Sequence, residues 1–208
     1  MTRPVLHVIT DESLQQRFTH EELAQRITEA GADFLQFREK RPKETQELLS
    51  TARELHQICR QSTATRLIVN DRADVAFAIG DCGVHLGEND LPVEIARQIL
   101  GPERIIGGTL NHPESFSLRW ARHFNYLGVG PVFDTNSKAN PAPTLGLNAL
   151  TELCQASPVD VIAIGNITLE YIDDVLATGV AGVAVLSAIV CSNDPAKQTQ
   201  EFMKALGA

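Results

Sequence analysis

The chain has 208 residues, 43% hydrophobic and 21% charged, which excludes intrinsic disorder; its longest nearly uncharged apolar run, 182–191, is about half the ~20 residues of a membrane span. Its formal net charge of −8 and pI near 5.2 give nucleic acid or an anionic membrane no attraction from the whole chain, so a phosphate ligand needs a local cationic cluster. The four cysteines stand singly, which argues against a zinc knuckle or disulfide framework and marks them as reduced core residues; no secretory h-region is legible, so a cytoplasmic location is expected.

Short β-branched runs alternate with stretches of helical spacing. Residues 5–10 read as the first strand and 21–30 as a helix, which Thr19 and Glu22 open with a capping-box pattern. A strand at 34–38 precedes a helix at 43–60. Strands at 66–70 and 83–86 follow with no helix assigned between them. A helix at 93–100, a strand at 105–110, a helix at 112–122 and a strand at 126–129 come next. Residues 134–145 read as a long loop, 147–155 as a helix and 159–164 as the seventh strand. A helix at 169–177 behind Thr168, an eighth strand at 182–186 and a helix at 195–206 complete the chain.

Eight βα units in 208 residues leave about 26 residues for each, enough for a short strand, a helix and tight turns. The expected fold is α/β, a single (β/α)8 TIM barrel forming one domain over residues 1–208. A doubly wound open sheet would also alternate, but its G-x-G-x-x-G signature is missing after the first strand, where Thr10-Asp11-Glu12-Ser13 stands.

In such a barrel the chemistry gathers at the carboxyl ends of the strands. Strand 2 ends in Gln36, Arg38 and Lys40, which a period of two places on one face. An inward arginine is costly unless paired, so an anionic ligand is the stronger reading over a strand running into solvent. Asn70 and Asp71 close strand 3, and Asp90 follows strand 4. Two carboxylates at neighbouring strand ends suit Mg²⁺, which is commonly held by carboxylates, phosphate oxygens and waters; the bland alternative is that each caps a helix. Thr135, Asn136, Ser137 and Lys138 after strand 6 form a loop able to fold over a phosphate, or an ordinary polar surface loop. Asn166 after strand 7, with Leu186 and Ser187 after strand 8, marks the pair of loops that often makes a phosphate site in barrels. His85 reads as a base or as a hydrogen-bonded barrel histidine. Trp120 and the phenylalanines read as packing.

Taken together, QFREK at 36–40, LIVNDRADVA at 67–76, GVHLGENDLP at 83–92, LGVGPVFDTNSK at 127–138 and VAVLSAI at 183–189 resemble thiamine phosphate synthase and its TenI-like relatives. The resemblance covers nearly the whole chain. It implies a TIM-barrel transferase that joins 4-amino-2-methyl-5-hydroxymethylpyrimidine diphosphate to a thiazole phosphate, giving thiamine phosphate and diphosphate with Mg²⁺. By this resemblance Gln36, Arg38, Lys40, Asn70 and Lys138 match pyrimidine diphosphate contacts, Asp71 and Asp90 the Mg²⁺ ligands, and Thr135, Asn136, Ser137, Leu186 and Ser187 thiazole phosphate contacts. Arg38, Lys40 and Lys138 are then the groups that stabilise the departing diphosphate. The implied partners are small-molecule substrates rather than nucleic acid or membrane, and such barrels are commonly homo-oligomers.

Three places depart from the family pattern. The usual G-V-S-T-H after strand 5 is Gly107-Gly108-Thr109-Leu110-Asn111, so Thr109 stands for serine and Asn111 for histidine. The T-x-T-K loop is Thr135-Asn136-Ser137-Lys138. The usual G-G-I after strand 7 is Gly165-Asn166-Ile167, where Asn166 tolerates a positive φ while adding a side chain to the thiazole phosphate pocket. A TenI-like thiazole tautomerase and a paralogue that binds thiamine precursors without turnover remain the alternatives. Retention of Asp90 with loss of the strand 5 histidine favours the synthase over the tautomerase.

Overall fold

The computed structural model describes residues 3–62, 64–134 and 143–208. Its strands are β1 (Val5–Thr10), β2 (Phe34–Phe37), β3 (Arg66–Asn70), β4 (Gly83–Leu86), β5 (Ile106–Leu110), β6 (Tyr126–Val129), β7 (Asp160–Ile164) and β8 (Gly182–Val185). Each pairs in parallel with the next, and β8 returns to β1 through the register Val5 to Gly182. The sheet therefore closes into an eight-stranded barrel in sequence order, as expected.

The helices α1 (His20–Glu29), α2 (Thr45–Gln61), α3 (Ala73–Ile79), α4 (Val93–Leu100), α5 (Leu118–Ala121), α6 (Gly146–Ala156), α7 (Ile172–Ala177), α8 (Ser187–Val190) and α9 (Pro195–Ala205) follow the strands. The capping box read at α1 is present: Glu22 N donates to Thr19 Oγ1 at 3.2 Å, and Thr19 N donates to Glu22 Oε2 at 2.9 Å. Helix α3 was not anticipated, because it buries only the small side chains of Ala73, Val75 and Ala76 and so leaves a faint periodic signal. The helix expected at 112–122 is a 3₁₀ turn, Pro113–Ser115, followed by the single turn of α5. Thr168 does not cap α7, which begins behind Tyr171. No helix among the described residues is long and apolar enough to cross a membrane.

Side-chain alternation along the strands separates two apolar regions. A large one, between strands and helices, includes Leu6, Val8, Leu35, Leu67, Val69 and Leu127. A small one inside the barrel holds Ile9, Tyr126, Ile162 and Ala184. Three of the expected core assignments need correction. Cys191 is exposed and Cys154 half-buried, while Cys59 and Cys82 are buried and burial pushes both of their thiols up to about 12. Phe77 is 61% exposed on α3, whose short buried face has no position for it. Trp120 does pack, edge-on to Phe124 with ring centroids 4.7 Å apart.

Candidate active site

The inward positions of the strands, and the residues just beyond their carboxyl ends, border one cavity of about 550 Å³. From β1 come His7 and Ile9, from β2 Gln36 and then Arg38 and Lys40, and from β3 Asn70 and then Asp71. Period two explains the selection: each step of two residues returns the chain to the barrel interior. His85, Thr109, Tyr126, Gly128, Ile162 and Ala184 continue the pattern around the barrel.

Small residues open this space. A Cβ on Gly107 would meet the Tyr126 hydroxyl oxygen at 2.4 Å, and one on Gly128 would lie 3.1 Å from His85 Cε1. The two glycines thus make room for two rings. His85 Nδ1 lies 3.1 Å from the Tyr126 hydroxyl and Nε2 lies 2.9 Å from Thr109 Oγ1, so it is a hydrogen-bonded histidine inside the barrel. Deeper, His7 stacks on Phe34 with centroids 4.2 Å apart. Burial and the neighbouring His85 push its imidazole down to about 3.

At the rim, cations and carboxylates interlock. Arg38 Nη1 donates to Asp11 Oδ2, and Asp11 is 1% exposed. The other Asp11 oxygen accepts from Ser13 N at 2.7 Å, Ser13 Oγ at 2.5 Å and Leu14 N at 3.2 Å, so the carboxylate is fixed before it meets the guanidinium. Sequence reasoning overlooked Asp11. It is an acid at the end of β1, the same signal that singled out Asp71 and Asp90.

Lys40 Nζ donates to Asp71 Oδ2. Asp71 adopts φ 66°, a left-handed turn that aspartate tolerates better than most residues. Asp90 Oδ2 accepts from Gly87 N at 2.6 Å. Burial raises the Asp90 carboxyl above its ordinary value; the Gly87 amide opposes that shift and adjacent Asp71 adds to it. Two crowded carboxylates, all-oxygen donors with a like-charge penalty, fit a hard divalent cation.

Asn111 N and Nδ2 lie 3.3 and 3.5 Å from Glu88 Oε1, so the residue in the histidine position is turned to a neighbouring strand end. Gly108 is accommodated by Phe124, whose ring would lie 2.5 Å from an added Cβ. Across the mouth, Asn166 has φ 51° and borders the cavity with Gly165, Leu186 and Ser187. The structure therefore brings Gln36, Arg38, Lys40, Asn70, Asp71, Asp90, Thr109, Asn166, Leu186 and Ser187 to one hollow. Thr135, Asn136, Ser137 and Lys138 lie outside the described residues.

Comparison with known proteins identifies the relatives of this chain. The family described as thiamine monophosphate synthase matches residues 6–189. A thiamine-phosphate synthase of Salinibacter ruber is 42% identical over 97% of this chain and 88% of its own length. One of Methanospirillum hungatei is 40% identical over 95% of each. The solved structure of a thiamine phosphate pyrophosphorylase from Pyrococcus furiosus superposes with a TM-score of 0.83 at 35% identity, covering 97% of this chain and 95% of that one. The chain belongs to the thiamine monophosphate synthase family.

Proposed function

We propose that this protein is a thiamine phosphate synthase, a transferase that condenses 4-amino-2-methyl-5-hydroxymethylpyrimidine diphosphate with a thiazole phosphate and releases diphosphate. The observation that carries this reading is the meeting of Arg38, Lys40, Asp71 and Asp90 on one cavity. That set of charges suits a metal-bound diphosphate.

Asp71 and Asp90 would hold Mg²⁺, which when bound would neutralise charge on the leaving diphosphate. Arg38 and Lys40 take the remaining charge, joined by Lys138 as the family resemblance implies. Gln36 and Asn70 orient the pyrimidine, with Thr109 beside it through the hydroxyl that bonds His85. Loss of diphosphate leaves a positively charged benzylic-type carbon on the pyrimidine, and the thiazole nitrogen adds to it. Neither step uses a protein nucleophile. The electrostatic work falls on fixed cations, and Asp11 holds one of them in place before substrate arrives. Asn166, Leu186 and Ser187, with Thr135, Asn136 and Ser137, receive the thiazole phosphate.

Asn111 argues against a tautomerase, because an amide does not exchange protons as an imidazole does. Small phosphorylated substrates accord with a cytoplasmic location. Incubating the protein with both substrates and Mg²⁺ should yield thiamine phosphate and diphosphate in equal amounts. Ligand-induced thermal stabilisation without diphosphate would instead identify a binding paralogue.

A further inference from the structure

Outside the cavity, Glu12 follows β1, His20 opens α1 and Glu39 follows β2. One ligand atom from each comes within 4.8 Å of the others. The His20 and Glu39 side chains are 2% and 4% exposed, and Glu12 is 19% exposed. His20 Nδ1 lies 2.8 Å from Thr10 Oγ1, and that hydroxyl donates to Gln36 O at 3.4 Å. A metal ion on Nε2 requires the tautomer with Nδ1–H, and Thr10 Oγ1 stands where it accepts that proton.

His20 Nε2 is buried without a hydrogen-bond partner among the described residues. Glu39 Oε2 stands 3.5 Å from it and Glu12 Oε1 3.9 Å. A lone pair facing two carboxylates is repelled unless a cation lies between them. Burial lowers the affinity of His20 for a proton, against the pull of Glu12 and Glu39. Arg41 supplies one positive charge from the solvent side, with Nη2 2.6 Å from Glu12 Oε2 and Nε 3.0 Å from both Glu39 oxygens. Two carboxylates and one guanidinium leave a net negative charge beside the buried His20 ring.

We infer that Glu12, His20 and Glu39 form a site for a divalent transition-metal ion of the Zn²⁺ class, separate from the Asp71 and Asp90 pair. An imidazole nitrogen with two carboxylates selects such ions over Mg²⁺, which prefers oxygen donors and water. Tetrahedral ligands ~2.0–2.1 Å from zinc stand about 3.3 Å apart. The 3.5 Å separation already meets this, and the 3.9 Å separation closes with a rotation of Glu12 that turns Oε1 away from the His20 backbone N–H, from which it accepts at 2.7 Å. Arg41, 41% exposed, swings into solvent as the ion enters. The ion would tie the segments after β1 and β2, which carry Asp11, Arg38 and Lys40, to the start of α1. This site stands independently of the reaction proposed above.

The test is equilibrium dialysis of the full chain, stripped with a chelator, against micromolar Zn²⁺ with millimolar Mg²⁺ present. Wild type should retain one zinc per chain, Glu12→Gln should bind it ~10-fold more weakly, and His20→Ala should lose it. Arg41→Ala should bind it more tightly, since the carboxylates are freed. Should His20→Ala fail to fold, Glu12→Gln and Arg41→Ala carry the test, because both side chains reach solvent. Absence of zinc from wild type, equal retention by the Glu12 or His20 variant, or weaker binding by Arg41→Ala would overturn the site.

Discussion

At the residue scale, Asn166 tests how tightly the thiazole phosphate is held. Its φ of 51° is available to glycine without strain, so Asn166→Gly keeps the turn and removes only the side chain. The expected result is a several-fold lower KM for the thiazole phosphate with kcat little changed; an unchanged KM would show that the side chain stands clear of the phosphate. His7 offers a pH test. In the folded protein its imidazole stays neutral until about 3, whereas in the unfolded chain it takes up a proton near the ordinary value of ~6.5. Between those values unfolding binds a proton, so stability falls as pH drops, by about 1.4 kcal/mol per pH unit at most from this residue. His7→Phe, which preserves the stack on Phe34, should reduce the difference in urea midpoint between neutral and mildly acidic pH. Equal differences in the two proteins would place the acid sensitivity elsewhere.

At the element scale, β5 and the turn after α5 have been fitted to each other. Gly108 lacks the valine side chain usual in the family, and the buried ring of Phe124 fills the space. Gly108→Val should therefore destabilise the fold by ~1–3 kcal/mol through overpacking, and adding Phe124→Leu should recover much of the loss; chemical denaturation of the three proteins checks both. Local pattern announced the elements that carry a full stripe of apolar residues, such as α1 and α2. It did not announce α3, which buries little beyond alanine and valine, nor the shortening of the expected 112–122 helix. Thr168 resembled a cap by type alone, since a cap is defined by the backbone turn that follows it and α7 begins only at Ile172.

At the scale of the whole molecule, barrel closure turns eight local strand ends into one site. Gln36, Arg38, Asp71 and Asp90 were legible because each interrupts an apolar strand or its end with a group a core would not hold. Asp11 passed unnoticed because its partner, Arg38, is 27 residues away and only closure makes them neighbours. His20, Glu12 and Glu39 were hidden for the same reason: three elements contribute one residue each, and no spacing along the chain links them.

The central claim is that this rim grips a metal-bound diphosphate. Calorimetric titration of diphosphate into the protein, with and without Mg²⁺, tests it most directly, using wild type, Arg38→Ala and Asp90→Asn. Binding should tighten strongly with Mg²⁺ in wild type, weaken at least ~10-fold in Arg38→Ala as a charge-assisted contact is lost, and lose most of its metal dependence in Asp90→Asn. Diphosphate affinity that is indifferent to Mg²⁺ and unchanged in both variants would contradict the claim.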